Sequence, residues 1–245
     1  MSDPLVLCYH AVSERWPAPL SVTPEAFERQ LRRLSRSGFR GVTFEQALSR
    51  PSDGPTVAVT FDDAYLSVLD LALPILADVG FPATVFVPTD YPARPAEPMS
   101  WPGIDGWLGG PYEPELRPMS WEQLGTLAEA GWEIGSHTCS HPRLPTLSDD
   151  QLARELIESR KLVAERLGRP CDSLAYPYGD HDERVLEAAR SAGYDVAGTL
   201  PGRLAPTLRL AWPRIGIYQG DDERRFRLKI SSAVRWLRGT RAWPR

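Results

Sequence analysis

Short runs of consecutive apolar residues alternate along the chain with longer stretches in which apolar residues recur every third or fourth position, the pattern of buried strands separated by amphipathic helices. The strand-like runs are Leu5 to Tyr9, Thr56 to Phe61, Ala83 to Val87, Trp132 to Gly135, Ser173 to Tyr176, Asp195 to Thr199 and Trp212 to Ile217. The first of them, and above all the β-branched run TVAVTF, lack the polar alternation of half-exposed strands and predict burial on both faces. Thr23 and Pro24 read as an N-cap and first helical residue, followed by Phe27, Leu31 and Leu34 at helical spacing, with Gly38 as the stop. Phe44 to Leu48 is a short helical turn before the link PSDGP. Leu66, Leu69, Leu73 and Leu76 mark a helix that Gly80 ends, and Ser120 with Gln123 forms a capping box opening a helix to Ala130. Further helices are predicted over Ser148 to Leu167, Asp182 to Ala192 and Asp222 to Leu237. Seven strands alternating with helices predict an α/β fold, a parallel (β/α)7 barrel with one unit fewer than the usual eight; a doubly wound open sheet is the alternative. Residues 88–118 break the rhythm. Rich in Pro, Gly and Trp and longer than an ordinary connection, they are expected to form an inserted, lid-like loop or wall. Trp101, Trp107 and Tyr112 in it would suit stacking on sugar rings, or would pin the loop to the surface.

Composition narrows the class. With 245 residues, 42% hydrophobic and 24% charged, the chain has the make-up of a globular protein with a large core, and one domain over 1–245 is expected. A net charge of -4 and a pI of 5.7 give no electrostatic basis for nucleic acid as the main partner. The strongly basic stretch is residues 222–245, read as a C-terminal helix with Phe226, Ile230, Val234 and Leu237 on one face and arginines between. Such a helix either covers a barrel or makes peripheral contact with an anionic membrane. Cys8, Cys139 and Cys171 are odd in number and in no CxxC arrangement, which fits free thiols and a cytoplasmic location. The N-terminal MSDPLVLCYH has neither a basic n-region nor an apolar core of signal length, and no run reaches the ~20 residues of a membrane span. Nothing in the sequence sets an oligomeric state.

Candidate chemistry sits where the strands end. Asp62 and Asp63 leave the strand Thr56 to Phe61 side by side, and two adjacent buried carboxylates call for a positive partner, most simply a metal ion. Asp63 could instead be a plain N-cap for the helix that follows. His10, His137, His141 and Tyr178 also follow the carboxyl ends of different strands, so a closed barrel would gather all of these at one mouth. Two histidines four apart plus a carboxylate from another strand form a His2Asp set that leaves coordination positions open for water, a catalytic pattern.

The motifs resemble those of the polysaccharide deacetylase (NodB-homology) family, carbohydrate esterase family 4. TFDDAY at Thr60 to Tyr65 is similar to its TFDDG signature, SHTCSH at Ser136 to His141 to its HSxxH motif, and AYPYG at Ala175 to Gly179 to its RxPYG motif. The resemblance runs from about Leu5 to Ile217. It implies a distorted (β/α)7 barrel, a metal on Asp63, His137 and His141, Asp62 as general base, and a Tyr178 backbone N–H that binds the oxyanion. Two positions depart from the pattern. Ala175 stands where the family has an arginine that orients the base, and Arg214 in WPRIG is the candidate replacement. The general-acid LxxH motif is absent near the C-terminus, but Leu7 to His10 (LCYH) has that form, as in a permuted branch resembling poly-N-acetylglucosamine deacetylases, which makes His10 the acid. The expected activity is metal-dependent removal of N-acetyl groups from an amino sugar or glycan, with Zn2+ the ion that the N/O ligand set suggests. A metal amidohydrolase acting on a small non-sugar amide and an inactive glycan-binding module are the competing readings.

Overall fold

The computed structural model describes residues 3–49, 53–204 and 207–240. Part of the link PSDGP and the last five residues of the basic C-terminal stretch lie outside them. In chain order the elements are β1 (Leu5–Tyr9), β2 (Ala11–Val12), β3 (Ser21–Val22), α1 (Pro24–Arg36), β4 (Arg40–Val42), α2 (Phe44–Ser49), β5 (Thr56–Phe61), α3 (Leu73–Val79), β6 (Thr84–Val87) and α4 (Trp121–Glu129). They continue with β7 (Glu133–Ser136), α5 (Asp149–Leu167), β8 (Ser173–Ala175), α6 (Glu183–Ser191), β9 (Val196–Thr199), β10 (Trp212–Pro213), β11 (Ile215–Gly216), α7 (Glu223–Ile230) and α8 (Ser232–Gly239).

The main sheet runs in the order β10-β9-β8-β7-β6-β5-β1-β11, and every register in it is parallel. Its two ends, β10 and β11, are consecutive pieces of one course of chain on either side of Arg214, so the sheet comes back on itself as a nearly closed barrel with seven strand positions. Every residue of β1 and β5 is buried, as continuous apolar runs require when the inner face packs on itself and the outer face on helices. Phe61 shows the packing: it stacks on Trp132 with ring centroids 5.8 Å apart and meets Phe27 of α1 at 5.7 Å. Truncating such a ring typically costs about 3–5 kcal/mol.

Local signals account for most helix ends. The Thr23 side chain accepts from Ala26 N–H at the start of α1, and the capping boxes at Ser120 and Ser148 are complete in both directions. Besides the short β2–β3 pair, four features differ from the expected pattern. Arg40–Val42 is an additional strand, paired to the entry half of β5 on the edge that β6 takes over at Thr60. The helix over Leu66 to Leu76 begins with a π-type turn, Val68–Ala72, because Pro74 has no N–H to give; Leu73 N–H reaches back five residues to Val68 O. The single course Trp212 to Ile217 is split at Arg214. The C-terminal stretch is two helices, not one, because Ser231 is extended (ψ 128), a conformation that serines favour at caps. Phe226 is buried against the body while the face expected to run on to Leu237 is interrupted.

Residues 88–118 form a packed wall. Met99, Trp101, Ile104 and Leu116 are buried, Tyr65 and Pro118 form an isolated bridge, and Met119 N–H bonds Ala64 O, which ties the wall to the loop after β5.

Candidate active site

The two carboxylates at the exit of β5 diverge because the backbone reverses there. Asp63 (φ 70) and Ala64 (φ 57) are both left-handed, a conformation that costs a non-glycine residue about 1–3 kcal/mol and persists only where the surroundings enforce it. The other non-glycine residues with positive φ among those described are Thr138, His141 and Tyr178. Asp63, His141 and Tyr178 line one cavity, and Ala64 and Thr138 lie in the same two loops as Asp63 and His141.

Asp63 turns to the two histidines. Its Oδ1 lies 3.4 Å from His137 Nε2 and 3.4 Å from His141 Nε2, and has no hydrogen-bond partner although fully buried. His137 Nδ1 is 2.8 Å from the Ala175 carbonyl, which can only accept, so Nδ1 carries a proton, and in the neutral ring Nε2 then presents its lone pair to the carboxylate. Lone pairs facing one another across 3.4 Å repel unless a cation lies between them. Two atoms each ~2.0–2.1 Å from a tetrahedral Zn2+ would be about 3.3 Å apart, so the spacing fits. Burial opposes charge on Asp63, but the His137 and His141 rings hold its carboxyl below the ordinary value. Burial pulls His141 down to about 3, against the opposing pull of Asp63.

The loop that carries the histidines is held from behind by Glu155 of α5. This buried carboxylate accepts from Cys139 N–H (2.8 Å), Ser140 N–H (3.0 Å) and the Ser140 hydroxyl (2.7 Å), while Thr89 N–H and Asp90 N–H bond the Thr138 and Cys139 carbonyls. Trp101 of the wall stacks on His141 at 4.3 Å. Glu155 escapes a sequence reading because it sits in a helix whose acids look solvent-facing.

Asp62 turns the other way. Arg214 grips it in a two-point pair, Nη1 to Oδ1 at 2.6 Å and Nη2 to Oδ2 at 2.8 Å, and a third donor, Cys8 Sγ, lies 3.4 Å from Oδ2. Burial works against the charged carboxylate, yet the guanidinium overrides it and keeps Asp62 well below the usual carboxylate range. Arg214 itself is 1% exposed, also donates to Thr60 Oγ1 at 3.1 Å, and lies 5.3 Å from the Phe86 ring centroid. Its space comes from the neighbouring strand: a Cβ on Gly198 would stand 2.6 Å from Arg214 Nε. Gly198→Ala is therefore expected to lower the melting temperature, at about 1–3 kcal/mol for overpacking. By shifting the guanidinium it should also cut kcat roughly 10²-fold with metal content unchanged. Elemental analysis beside steady-state kinetics checks both.

His10 is buried beside this pair, within 4.8 Å of Cys8 and Asp62 by one side-chain atom each, and burial lowers its pKa. Its Nδ1 has no partner. The Tyr178 side chain is pinned to the wall, its hydroxyl donating to Pro102 O at 3.1 Å and its ring lying under the Arg143 guanidinium. His10, Asp62, Asp63, His137, His141 and Tyr178 all line one cavity of about 410 Å³, with Arg214 behind Asp62. Trp101 and Trp107 contribute to its walls, whereas Tyr112 packs edge-on against Trp107 outside it. Trp16 and Tyr218, which carry no pattern in the sequence, line it too.

A fold and mouth of this kind define a class, and the chain belongs to the polysaccharide deacetylase family, whose model matches residues 49–197. Among its relatives, YxkH of Bacillus subtilis (strain 168) is 28% identical over 200 residues, covering 79% of this chain and 63% of YxkH. The poly-beta-1,6-N-acetyl-D-glucosamine N-deacetylase of Staphylococcus aureus (strain MSSA476) is 24% identical over 186 residues, covering 71% of this chain and 59% of that one. The chain thus spans less than two thirds of the length of these relatives. The deacetylase PplD of Streptococcus pyogenes, solved in complex with acetate, superposes with a TM-score of 0.78 at 22% identity, over 93% of this chain and 98% of that one. IcaB from Ammonifex degensii gives 0.75 at 24% identity over 95% and 97%. These likenesses fix the fold as the distorted (β/α)7 barrel.

Proposed function

We propose that the protein is a metal-dependent N-deacetylase that hydrolyses the acetamide of an N-acetylated glycan or amino sugar to acetate and a free amine. The observation that carries this reading is the unpartnered Oδ1 of Asp63 facing two imidazole nitrogens at 3.4 Å. Asp63, His137 and His141 would hold a divalent ion, Zn2+ by its fit to N and O donors, which supplies Lewis-acid polarisation and a more acidic water. Asp62, kept ionised and aimed by Arg214, takes the proton of the attacking water. The acetyl carbonyl oxygen, as it becomes an oxyanion, accepts from the Tyr178 backbone N–H, and His10 gives a proton to the departing nitrogen as the C–N bond breaks. Water's hydroxyl ends in acetate, the amine keeps the proton that His10 gave, and the proton held by Asp62 passes back to His10 through solvent to close the cycle. Three buried, unpaired thiols support the cytoplasmic reading.

The purified protein is expected to carry about one divalent ion per chain and to release acetate from N-acetylated oligosaccharides. His137→Ala and Asp63→Ala should lose the ion. Equal metal content in wild type and both variants would remove the proposed centre, and acetate release only from small non-sugar amides would replace the substrate class.

A further inference from the structure

Two tyrosines line the mouth, and their hydroxyls are engaged differently. That of Tyr178 is committed to the wall through Pro102 O. That of Tyr218 makes no hydrogen bond to any described residue. Tyr65 also has an unpartnered hydroxyl, but it is sealed inside the protein, whereas Tyr218 is half-buried and opens on the cavity. A binding cavity works through shape and a few fixed polar groups, and such groups stay unpaired until a ligand arrives.

The strands decide where this hydroxyl stands. Gly216 of β11 is in register with Cys8 of β1, and residues in register present the same face of the sheet. The phenol lies across Gly216: a Cβ there would stand 2.4 Å from Tyr218 Oη and 2.7 Å from its Cε2. Cys8 Sγ is in turn 3.4 Å from Asp62 Oδ2 and clusters with His10. The hydroxyl therefore stands on the Asp62 and His10 flank of the mouth, across from the Asp63, His137 and His141 cluster. Burial, with Cys8 and Asp62 near by, pushes the phenol up to about 12, so it keeps its proton and can donate.

The segment that carries it is held on both sides. Tyr218 N–H donates to Asp221 Oδ2 at 2.8 Å, and Lys229 of α7 donates to that same oxygen and to Gly216 O at 2.7 Å, with its ammonium 5.1 Å from the Tyr218 ring centroid. Gln219 N–H bonds Pro19 O at 3.0 Å, and its side chain bonds Trp16 O at 3.2 Å. A side chain fixed in this way loses little further freedom when it binds.

Resting on the deacetylase reading, we infer that Tyr218 is a substrate-binding residue whose hydroxyl donates to an oxygen of the sugar that carries the departing nitrogen. On that reading the acetyl group lies towards Asp63, His137, His141 and the Tyr178 N–H, and His10 protonates the nitrogen. The ring attached to that nitrogen then falls on the Asp62 and His10 flank, where Tyr218 waits. Tyr218 thereby distinguishes an amino sugar from an acetyl compound that has no hydroxyls.

The test compares Tyr218→Phe with wild type on an N-acetylated oligosaccharide and on phenyl acetate. For the oligosaccharide KM should rise about five- to tenfold while kcat stays within about twofold, because a bond made equally before and during the reaction is uniform binding. Phenyl acetate has no sugar oxygen, and both of its constants should move by less than about twofold. Calorimetric titration with the deacetylated oligosaccharide should show the same weakening without turnover. Tyr112→Phe, outside the cavity, should match wild type throughout, with equal metal contents and melting temperatures certifying the folds. Acetate release by wild type together with an unchanged KM in Tyr218→Phe, or an equal loss of kcat on both substrates, would overturn the assignment of Tyr218 and leave the deacetylase reading standing. No acetate release by wild type from any N-acetylated sugar would overturn both.

Discussion

Arg214→Met is expected to destabilise the fold by about 3–5 kcal/mol, because it leaves the Asp62 carboxylate buried with no countercharge. Urea unfolding should show this as a lower midpoint at an unchanged slope. The geometry makes a sharper demand on the double variant. The pair is two-point, fully buried and shared with Thr60 and Cys8. Asp62→Asn combined with Arg214→Met removes both charges at once and should recover much of the lost stability, since it is the orphaned charge and not the missing bond that is costly. Activity should not return with it. Asp62→Asn alone is expected to lose ~10²–10⁴ in kcat because an amide cannot accept the water's proton, and adding Arg214→Met should change that little, as residues acting as a unit are non-additive. Stability losses that simply add would show that the two side chains are not coupled, and a Asp62→Asn enzyme of near normal rate would end the assignment of Asp62 as base.

His10→Ala separates an acid from a scaffold residue. Its ring is buried beside Asp62, its Nδ1 unpartnered, and it lines the cavity. As a proton donor to the leaving nitrogen, it should be worth ~10²–10⁴ on an acetamide and far less on an aryl acetate, whose phenolate departs unaided. Metal content should stay at the wild-type level, because Asp63, His137 and His141 are untouched. A structural His10 would instead lower both rates together along with the melting temperature. Parallel assays on the two substrates, with a thermal melt, decide between these.

What could be read from the chain was what neighbouring residues settle among themselves. The buried runs of β1 and β5, the caps at Thr23, Ser120 and Ser148, and the stop at Gly80 are local chemistry, and they sufficed for the barrel class. The strand Arg40–Val42 was not legible, since its residues are partly exposed and only its pairing with β5 makes it a strand. The split at Arg214 and the break at Ser231 likewise depend on what each half packs against. The same division holds at the site. The DD pair and HxxxH spacing were visible as motifs, but Glu155, Trp16 and Tyr218 reach the mouth from a helix and loops whose sequence resembles ordinary surface.

The barrel has a seam, and the seam coincides with the arginine. The register pairs to β9 are two, Trp212 with Gly198 and Pro213 with Thr199, and Ile215 and Gly216 begin the ladder to β1 with two more. Native-state hydrogen exchange should find sub-global opening there, with the Arg214 amide on Thr199 O and the Ile217 amide on Cys8 O exchanging as one unit ahead of the β1 and β5 core. Because the guanidinium that holds Asp62 rides on that same stretch, parting the seam would also free the carboxylate, and under the proposed mechanism catalytic half-life on storage or heating is expected to follow the opening rate of this one joint in advance of global unfolding.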